Sequence, residues 1–295
     1  MKRLLIVGCG DVATRALPLF AKTFQLSALA RSGADLVRLR ALGVSAIGAD
    51  LDQPDSLAGI DFSVDCLLHS APPPGSGSVD IRTANLIAAL ARAEKSGAMV
   101  PRRIVYLSTS GVYGDCAGAW VDEAREPNPQ TPRAWRRLDA ERVLQSWASR
   151  RGASLAILRV PGIYAADRLP LDRLRAGMPV LRAEEDVYSN HIHAEDLGAM
   201  AAAALVTEEV AGVFNACDDT EMKMGDYFDL VADRHGIARP PRITRIEAAA
   251  RVSPEMLSFW SESRRLLNRR IKRELAVPLR FPTVHEGVPS MAGVP

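Results

Sequence analysis

The residues best placed to do chemistry lie at the start of the chain. Gly8-Cys9-Gly10-Asp11-Val12-Ala13 follows the short apolar run Leu4 to Val7. The spacing is G-x-G-x-x-A between a strand and a helix. Gly8 permits a tight turn, and Gly10 lets a pyrophosphate approach the backbone. Ala13 is small enough for close helix–strand packing. Asp11 and Val12 open a helix whose free N–H groups face the phosphates. The chemistry expected here is dinucleotide binding.

Such a turn chooses its cofactor about twenty residues on, at the end of the second strand. Counting from Gly10 leads to Ala30-Arg31-Ser32, where there is no acid to hold a ribose hydroxyl. Arg31 offers a forked, charged donor suited to a 2′-phosphate, and Ser32 a second donor. NADP is therefore expected in preference to NAD. The competing reading puts Arg31 on the surface, stacked on adenine, where it serves both cofactors equally.

The elements that must position these residues alternate. Leu4–Val7, Gln25–Ala30, Val44–Ile47, Val64–His69, Arg103–Ser108 and Ser154–Val160 read as strands. Helices are expected over Val12–Phe24, Ala34–Leu42, Val79–Ser96 and Arg133–Arg150. This βαβ alternation implies a doubly wound parallel sheet with helices on both faces. Residues 167–182 form a Pro/Arg-rich excursion. A helix over Ala194–Leu205 and a strand over Val213–Ala216 return the chain to the sheet. Helices over Lys223–His235 and Ser253–Leu275 make a smaller C-terminal region. The expected division is a Rossmann domain over 1–165, rejoined by about 190–216. Residues 166–189 and 217–295 make the substrate-binding part.

Composition narrows the partners. The 295 residues carry 37 Lys and Arg against 35 Asp and Glu, a formal net charge of +2. That balance gives no reason to expect nucleic acid or an anionic membrane surface. The apolar run at the N-terminus stops at Gly8, too short for a signal peptide or a membrane span. A cytoplasmic protein is expected. Cys9, Cys66, Cys116 and Cys217 are widely spaced and form no CxxC, which points to reduced, buried thiols.

Taken in order, further stretches resemble the extended branch of the short-chain dehydrogenase/reductase superfamily, the NAD-dependent epimerase/dehydratase type. They are Asp50-Leu51, Asp65 to Ala71, Leu107 to Asp115, Leu158 to Tyr164, His191 to Asp196 and Val213-Phe214-Asn215. The resemblance implies a seven-stranded sheet with a small C-terminal substrate domain. It implies Asp50 and Leu51 beside adenine, and Ser70, Ala71, Pro72 and Pro161 against the cofactor. It also implies a Tyr-x-x-x-Lys acid/base pair and a Ser or Thr hydroxyl on the reacting oxygen.

Thr109 takes the place of that hydroxyl. The tyrosine and lysine are missing, because the alignment puts Arg133 and Arg137 there. A guanidinium stays protonated and cannot exchange a proton with substrate. Tyr164 is the candidate substitute acid, weighed against a phenol packed at a strand end, which is the favoured reading. Thr109 is likewise weighed against a hydroxyl capping a turn.

His191, His193, Glu195 and Asp196 suggest a metal cluster at first sight. The resemblance favours a strand running into a helix, so no metal is expected. His69 reads as a strand-end residue and Tyr113 as structural. Arg264 and Arg265 resemble a stretch near the substrate cleft and are candidates to hold an anionic substrate. The rest of that basic helix is read as a solvated face behind Leu267, Ile271 and Leu275.

The leading reading is an NAD(P)-dependent oxidoreductase, epimerase or dehydratase with a displaced acid/base. Its substrate is a small molecule, for which the resemblance suggests a sugar nucleotide. The alternatives are a catalytically silent NAD(P)-binding redox sensor or regulator, and a protein-interaction module. A monomer or a homodimer is expected.

Overall fold

The computed structural model describes residues 1–290. Seven strands form one sheet: β1 (Lys2–Val7), β2 (Phe24–Ala30), β3 (Ser45–Gly48), β4 (Cys66–His69), β5 (Arg103–Thr109), β6 (Ser154–Val160) and β7 (Gly212–Asn215). Their order is β7-β6-β5-β4-β1-β2-β3, and every pairing is parallel. After β3 the chain crosses to the other side of β1 to lay down β4. The strand order therefore reverses between β1 and β4. In a sheet of this kind the crevice beyond the carboxyl ends at such a reversal is where ligands bind.

The central strands are mostly apolar and buried because both faces of the sheet are covered there. Leu4 and Ile6 of β1 point into one core with Leu26, Ala28, Leu68 and Val105. Leu5 and Val7 point into the other with Leu67, Ile104 and Tyr106. The first face is covered by α1 (Asp11–Phe20) and by a later helix, Ala194–Val206. Ala13, Ala16 and Gly198 let these two pack closely; a Cβ on Gly198 would sit 3.1 Å from that of Ala16. The second face is covered by Ile81–Lys95 and Pro132–Arg151. The latter helix starts where Thr131 caps Ala134 N–H with Pro132 in the first turn, and stops at Gly152 in the left-handed region. Its Glu141 is fully buried and pairs with Arg159 of β6 at 2.8 Å, while Ser108 of β5 donates to the same carboxylate. Removing one partner of so buried a pair costs about 3–5 kcal/mol.

Beyond β6, Gly162–Tyr164 pairs in parallel with His191–His193, and the intervening excursion folds into a short helix at Leu171–Arg175 and a strand at Val180–Leu181. That strand pairs with Arg242–Ile243. Leu174, Val180, Tyr227, Phe228 and Val231 form a separate apolar cluster with Tyr164 and Val284. The single helix expected over Ser253–Leu275 is three elements. Pro254–Trp260 and Arg269–Leu275 are helical, and Arg265–Leu266 is a strand pairing with Trp120–Val121. Tertiary hydrogen bonds override helix propensity there, because Cys116 and Gly118 both donate their N–H to the Ser263 carbonyl. Ile271 and Leu275 still bury against the sheet, as their spacing requires.

Candidate active site

Three adjoining cavities run along the carboxyl edge of the sheet. The first, about 310 Å³, is lined by the glycine turn, Arg31, Asp50, Leu51 and Ser70 to Pro72. The second, about 170 Å³, shares Gly8, Gly10 and Ser70 with it and extends over Asp11, Val12, Ala13 and Arg137. The third, about 490 Å³, shares Ile163 and Arg168 with the second and is bounded by Thr109, Pro161, Tyr164 and Arg264. Sharing these wall residues, the three stand in a row from the end of β2 to the C-terminal region.

The two glycines of the turn have different reasons for lacking a side chain. Gly8 has φ +94°, and a Cβ there would lie 2.3 Å from Ala71 N. The end of β4 closes on it: Ser70 and Ala71 donate their N–H groups to Val7 O, and Ser70 Oγ donates to Gly8 O at 2.7 Å. Gly10 has ordinary angles, φ −83° and ψ −159°. A Cβ on Gly10 would meet no protein atom within 4 Å. The fold does not require this glycine, so the cleft above it is the feature a side chain would fill. This open cradle fits a pyrophosphate at a helix N-terminus.

At the end of β2, Arg31 is exposed and lines the first cavity. Ser32 does not line it, contrary to its expected role as a second phosphate donor. Its hydroxyl caps the helix Gly33–Ala41, accepting from Asp35 N–H and donating to the Asp35 carboxylate at 2.7 Å. The second cation in this wall is Arg38, which sequence reasoning missed. It donates to Cys9 O at 2.9 Å and so stands directly beside the glycine turn. Asp35 shares the wall at 3.5 Å from Arg38.

The third cavity gathers the candidates for chemistry. Thr109 ends β5 and caps the next turn, its Oγ1 accepting from Gly111 N–H at 3.2 Å. Thr109 also lines the third cavity. Arg133 lines the same cavity, 4.1 Å over the Phe259 ring. Arg137 lies in the middle cavity and donates to Leu107 O at 3.0 Å.

Tyr164 does not suit the substitute-acid role. Its ring is 1% exposed, and its hydroxyl donates to Thr283 O at 3.2 Å. Burial, with Asp218 and Asp196 nearby, pushes its ionisation far up. A phenol so placed gives up a proton poorly, which is the packed-phenol reading.

Arg265 is also corrected. It donates to Gly118 O and Glu221 and stacks on Trp120 and Tyr188, which ties it into the loop rather than the cleft. Arg264 does face the cavity, bonded to Gly114 O at 2.6 Å and Glu262 at 2.9 Å. Glu262 was not foreseen. It is buried, one carboxylate oxygen faces Arg264, and the other has no hydrogen-bond partner among the described residues.

His191 lines the third cavity, its Nδ1 buried without a partner among the described residues. His193 Nδ1 accepts from Glu195 N–H and caps the helix that follows. Burial pushes His191 and His69 down to about 3, so both are neutral imidazoles, and His69 bonds Thr83 Oγ1 at 2.8 Å. Tyr113 is buried and bonds Asn215 Oδ1 at 2.9 Å. Among the described residues no group of three or more His, Cys, Asp or Glu is arranged to hold a metal. The four cysteines are buried and unpaired. No helix among the described residues is long and apolar enough to cross a membrane.

This architecture is shared widely. A conserved protein of unknown function from Silicibacter pomeroyi superposes with a TM-score of 0.79 at 30% identity, over 97% of this chain and 96% of that one. UDP-glucuronic acid 4-epimerase from Bacillus cereus, solved with NAD, has a TM-score of 0.71 at 16% identity, over 97% and 95% of the two chains. That likeness is one of fold. In sequence, GDP-6-deoxy-D-mannose reductase of Pseudomonas aeruginosa is 26% identical over 211 residues, 62% of this chain and 68% of that protein. The model of the NAD dependent epimerase/dehydratase family matches residues 23–217, starting after the first helix. The chain belongs to the NAD dependent epimerase/dehydratase family.

Proposed function

We propose that this protein is an NADP-preferring oxidoreductase of the epimerase or dehydratase type, with its acid/base displaced from the usual tyrosine. The observation that carries the reading is the row of adjoining cavities, which sets the open cradle over Gly10 in line with a cavity holding Thr109 and Glu262. Asp50, Leu51 and Ser70 to Pro72 wall the adenine end, and Asp11, Val12 and Ala13 present the helix N-terminus. Pro161 closes the far side, beside the substrate. The nicotinamide, when bound, supplies a hydride donor or acceptor.

The rest of the work falls to this chain's own side chains. Thr109 donates a hydrogen bond to a substrate oxygen in the third cavity. The unpartnered oxygen of Glu262 takes the proton of a substrate hydroxyl, while Arg264 fixes the carboxylate. Arg137 can turn its remaining donors to the middle of the cleft. The activity named for the Pseudomonas reductase makes a sugar nucleotide the first substrate to assay. The silent-sensor reading draws on Arg133 in place of tyrosine. The cavity of about 490 Å³ with a hydroxyl and a carboxylate on its wall favours the enzyme.

The cofactor preference is tested by titration with NADPH and NADH. Arg31 and Arg38 flank the end of β2, and charge-assisted hydrogen bonds contribute about 1.5–3 kcal/mol each. Roughly tenfold or more tighter NADPH binding is expected, and Arg31→Ala should collapse that margin. Equal affinities, or tighter NADH, would refute the preference, since Asp35 would then be the residue that sets the choice.

A further inference from the structure

The excursion that leaves the sheet after β6 is held weakly by its own structure. Ala166–Arg168 is a 3₁₀ turn of three residues, and Leu171–Arg175 is a helix of five. Helical pieces this short do not hold themselves together. Between 166 and 175 only Leu174 is buried, in the apolar cluster with Tyr227 and Phe228. Yet Arg168, Pro170 and Arg173 form part of the wall of the third cavity.

Ions tie this segment to the Rossmann core. Arg15 of α1 donates from Nε to Asp11 Oδ1 at 2.9 Å, and from Nη2 to both oxygens of Asp167 at 2.6 Å. Arg168 Nη1 donates to the other oxygen of Asp11 at 3.0 Å. Asp11 and Arg15 belong to α1, whereas Asp167 and Arg168 belong to the excursion. The four make a closed ring of alternating charge across the two elements. The Arg15 guanidinium holds the Asp167 carboxyl below its usual range. Asp11 opens α1 directly after Gly10, and it lines the middle cavity together with Arg168. One ion network therefore touches the cradle over Gly10 and the wall of the third cavity.

We propose that Asp11, Arg15, Asp167 and Arg168 form a latch through which the bound dinucleotide fixes residues 166–175 as a wall of the substrate cavity. The inference rests on the glycine turn holding a pyrophosphate, and adds how that event reaches the second site. Without ligand, Arg168 has the one carboxylate of Asp11, and its side chain is 39% exposed. A pyrophosphate over Gly10 brings further negative charge into the cavity that Arg168 lines. Coulomb attraction then draws Arg168, and the turn that carries it, onto the cradle. Asp167 touches neither ligand. It is a positioning residue that keeps the turn in register with α1 through Arg15. Single exposed ion pairs contribute little, but here four charges are linked in a network. By linkage, a latch that NADPH tightens must in turn hold NADPH more tightly.

Amide hydrogen exchange of the full chain, with and without saturating NADPH, tests the latch. In the wild type NADPH should slow exchange at the glycine turn and also at 166–175. Asp167→Asn keeps the shape of the side chain and removes its charge. In that variant saturating NADPH should still protect the glycine turn, while 166–175 exchanges as in the unliganded protein. Its NADPH affinity should fall about two- to fivefold. Arg168→Met should behave likewise, and Asp167→Glu should restore the protection. The NADPH-dependent part of the signal is what a merely structural ion pair would leave unmoved. Protection of the glycine turn with none at 166–175 in the wild type would overturn the latch and leave the cofactor reading standing. Undiminished protection of 166–175 in Asp167→Asn and Arg168→Met would overturn it as well. No protection at either place would remove the cofactor reading and the latch with it.

Discussion

A Gly10→Val protein should unfold at the same urea concentration as the wild type and bind no measurable NADPH, whereas Gly8→Ala should be unstable before binding is even tested. The contrast follows from what surrounds each position. A Cβ at Gly10 meets nothing in the protein within 4 Å, and its backbone angles suit any residue. Valine there enters only the space left for a pyrophosphate, so the loss is confined to the ligand. At Gly8 the added carbon would lie 2.3 Å from the Ala71 backbone, and φ is +94°. The end of β4 would have to move, and the left-handed conformation alone costs about 1–3 kcal/mol in a residue with a side chain. Urea melts and NADPH titrations of both variants check this. A stable Gly10→Val protein with undiminished NADPH affinity would remove the cradle from the account.

The second large effect is expected at Glu262. Once a turnover assay with a sugar nucleotide or another substrate is in hand, Glu262→Gln should lower kcat by about 10²–10⁴-fold, as removing a general acid–base group does. Glutamine keeps the shape and can still accept from Arg264, so the missing property is proton transfer. Thr109→Ala should also lower kcat strongly, and NADPH affinity should hold in both. Tyr164→Phe should change the rate little, because its hydroxyl is spent on Thr283 O. Full activity in Glu262→Gln, or loss of activity in Tyr164→Phe, would reverse the assignment of the two residues.

What could be read from the sequence was mostly local. The glycine turn and the alternation of strands and helices follow from short apolar runs and their spacing, whereas the reversal at β1 depends on which strands pair. Ser32 was misread although the signal was present, since a serine three residues before Asp35 is a capping pattern. Arg38 was missed because its place in the groove depends on which face of its helix meets the glycine turn. The break in the expected helix over Ser253–Leu275 was illegible for another reason. Arg265–Leu266 takes its partner from Trp120–Val121, far away in sequence. Glu262 gave no signal either. Beside Arg264 and Arg265 it reads as one of several surface charges, and only folding buries it.

The central claim is that the cleft at the β1/β4 reversal holds a nicotinamide dinucleotide. Amide hydrogen exchange of the wild-type protein with and without saturating NADPH tests it most directly. Protection is predicted at Gly8 to Ala13, around Arg31 and Arg38, at Asp50-Leu51 and at Ser70-Ala71, with little change in the strand pair Val180–Leu181 and Arg242–Ile243. No protection at the glycine turn, or protection confined to the C-terminal elements, would contradict it.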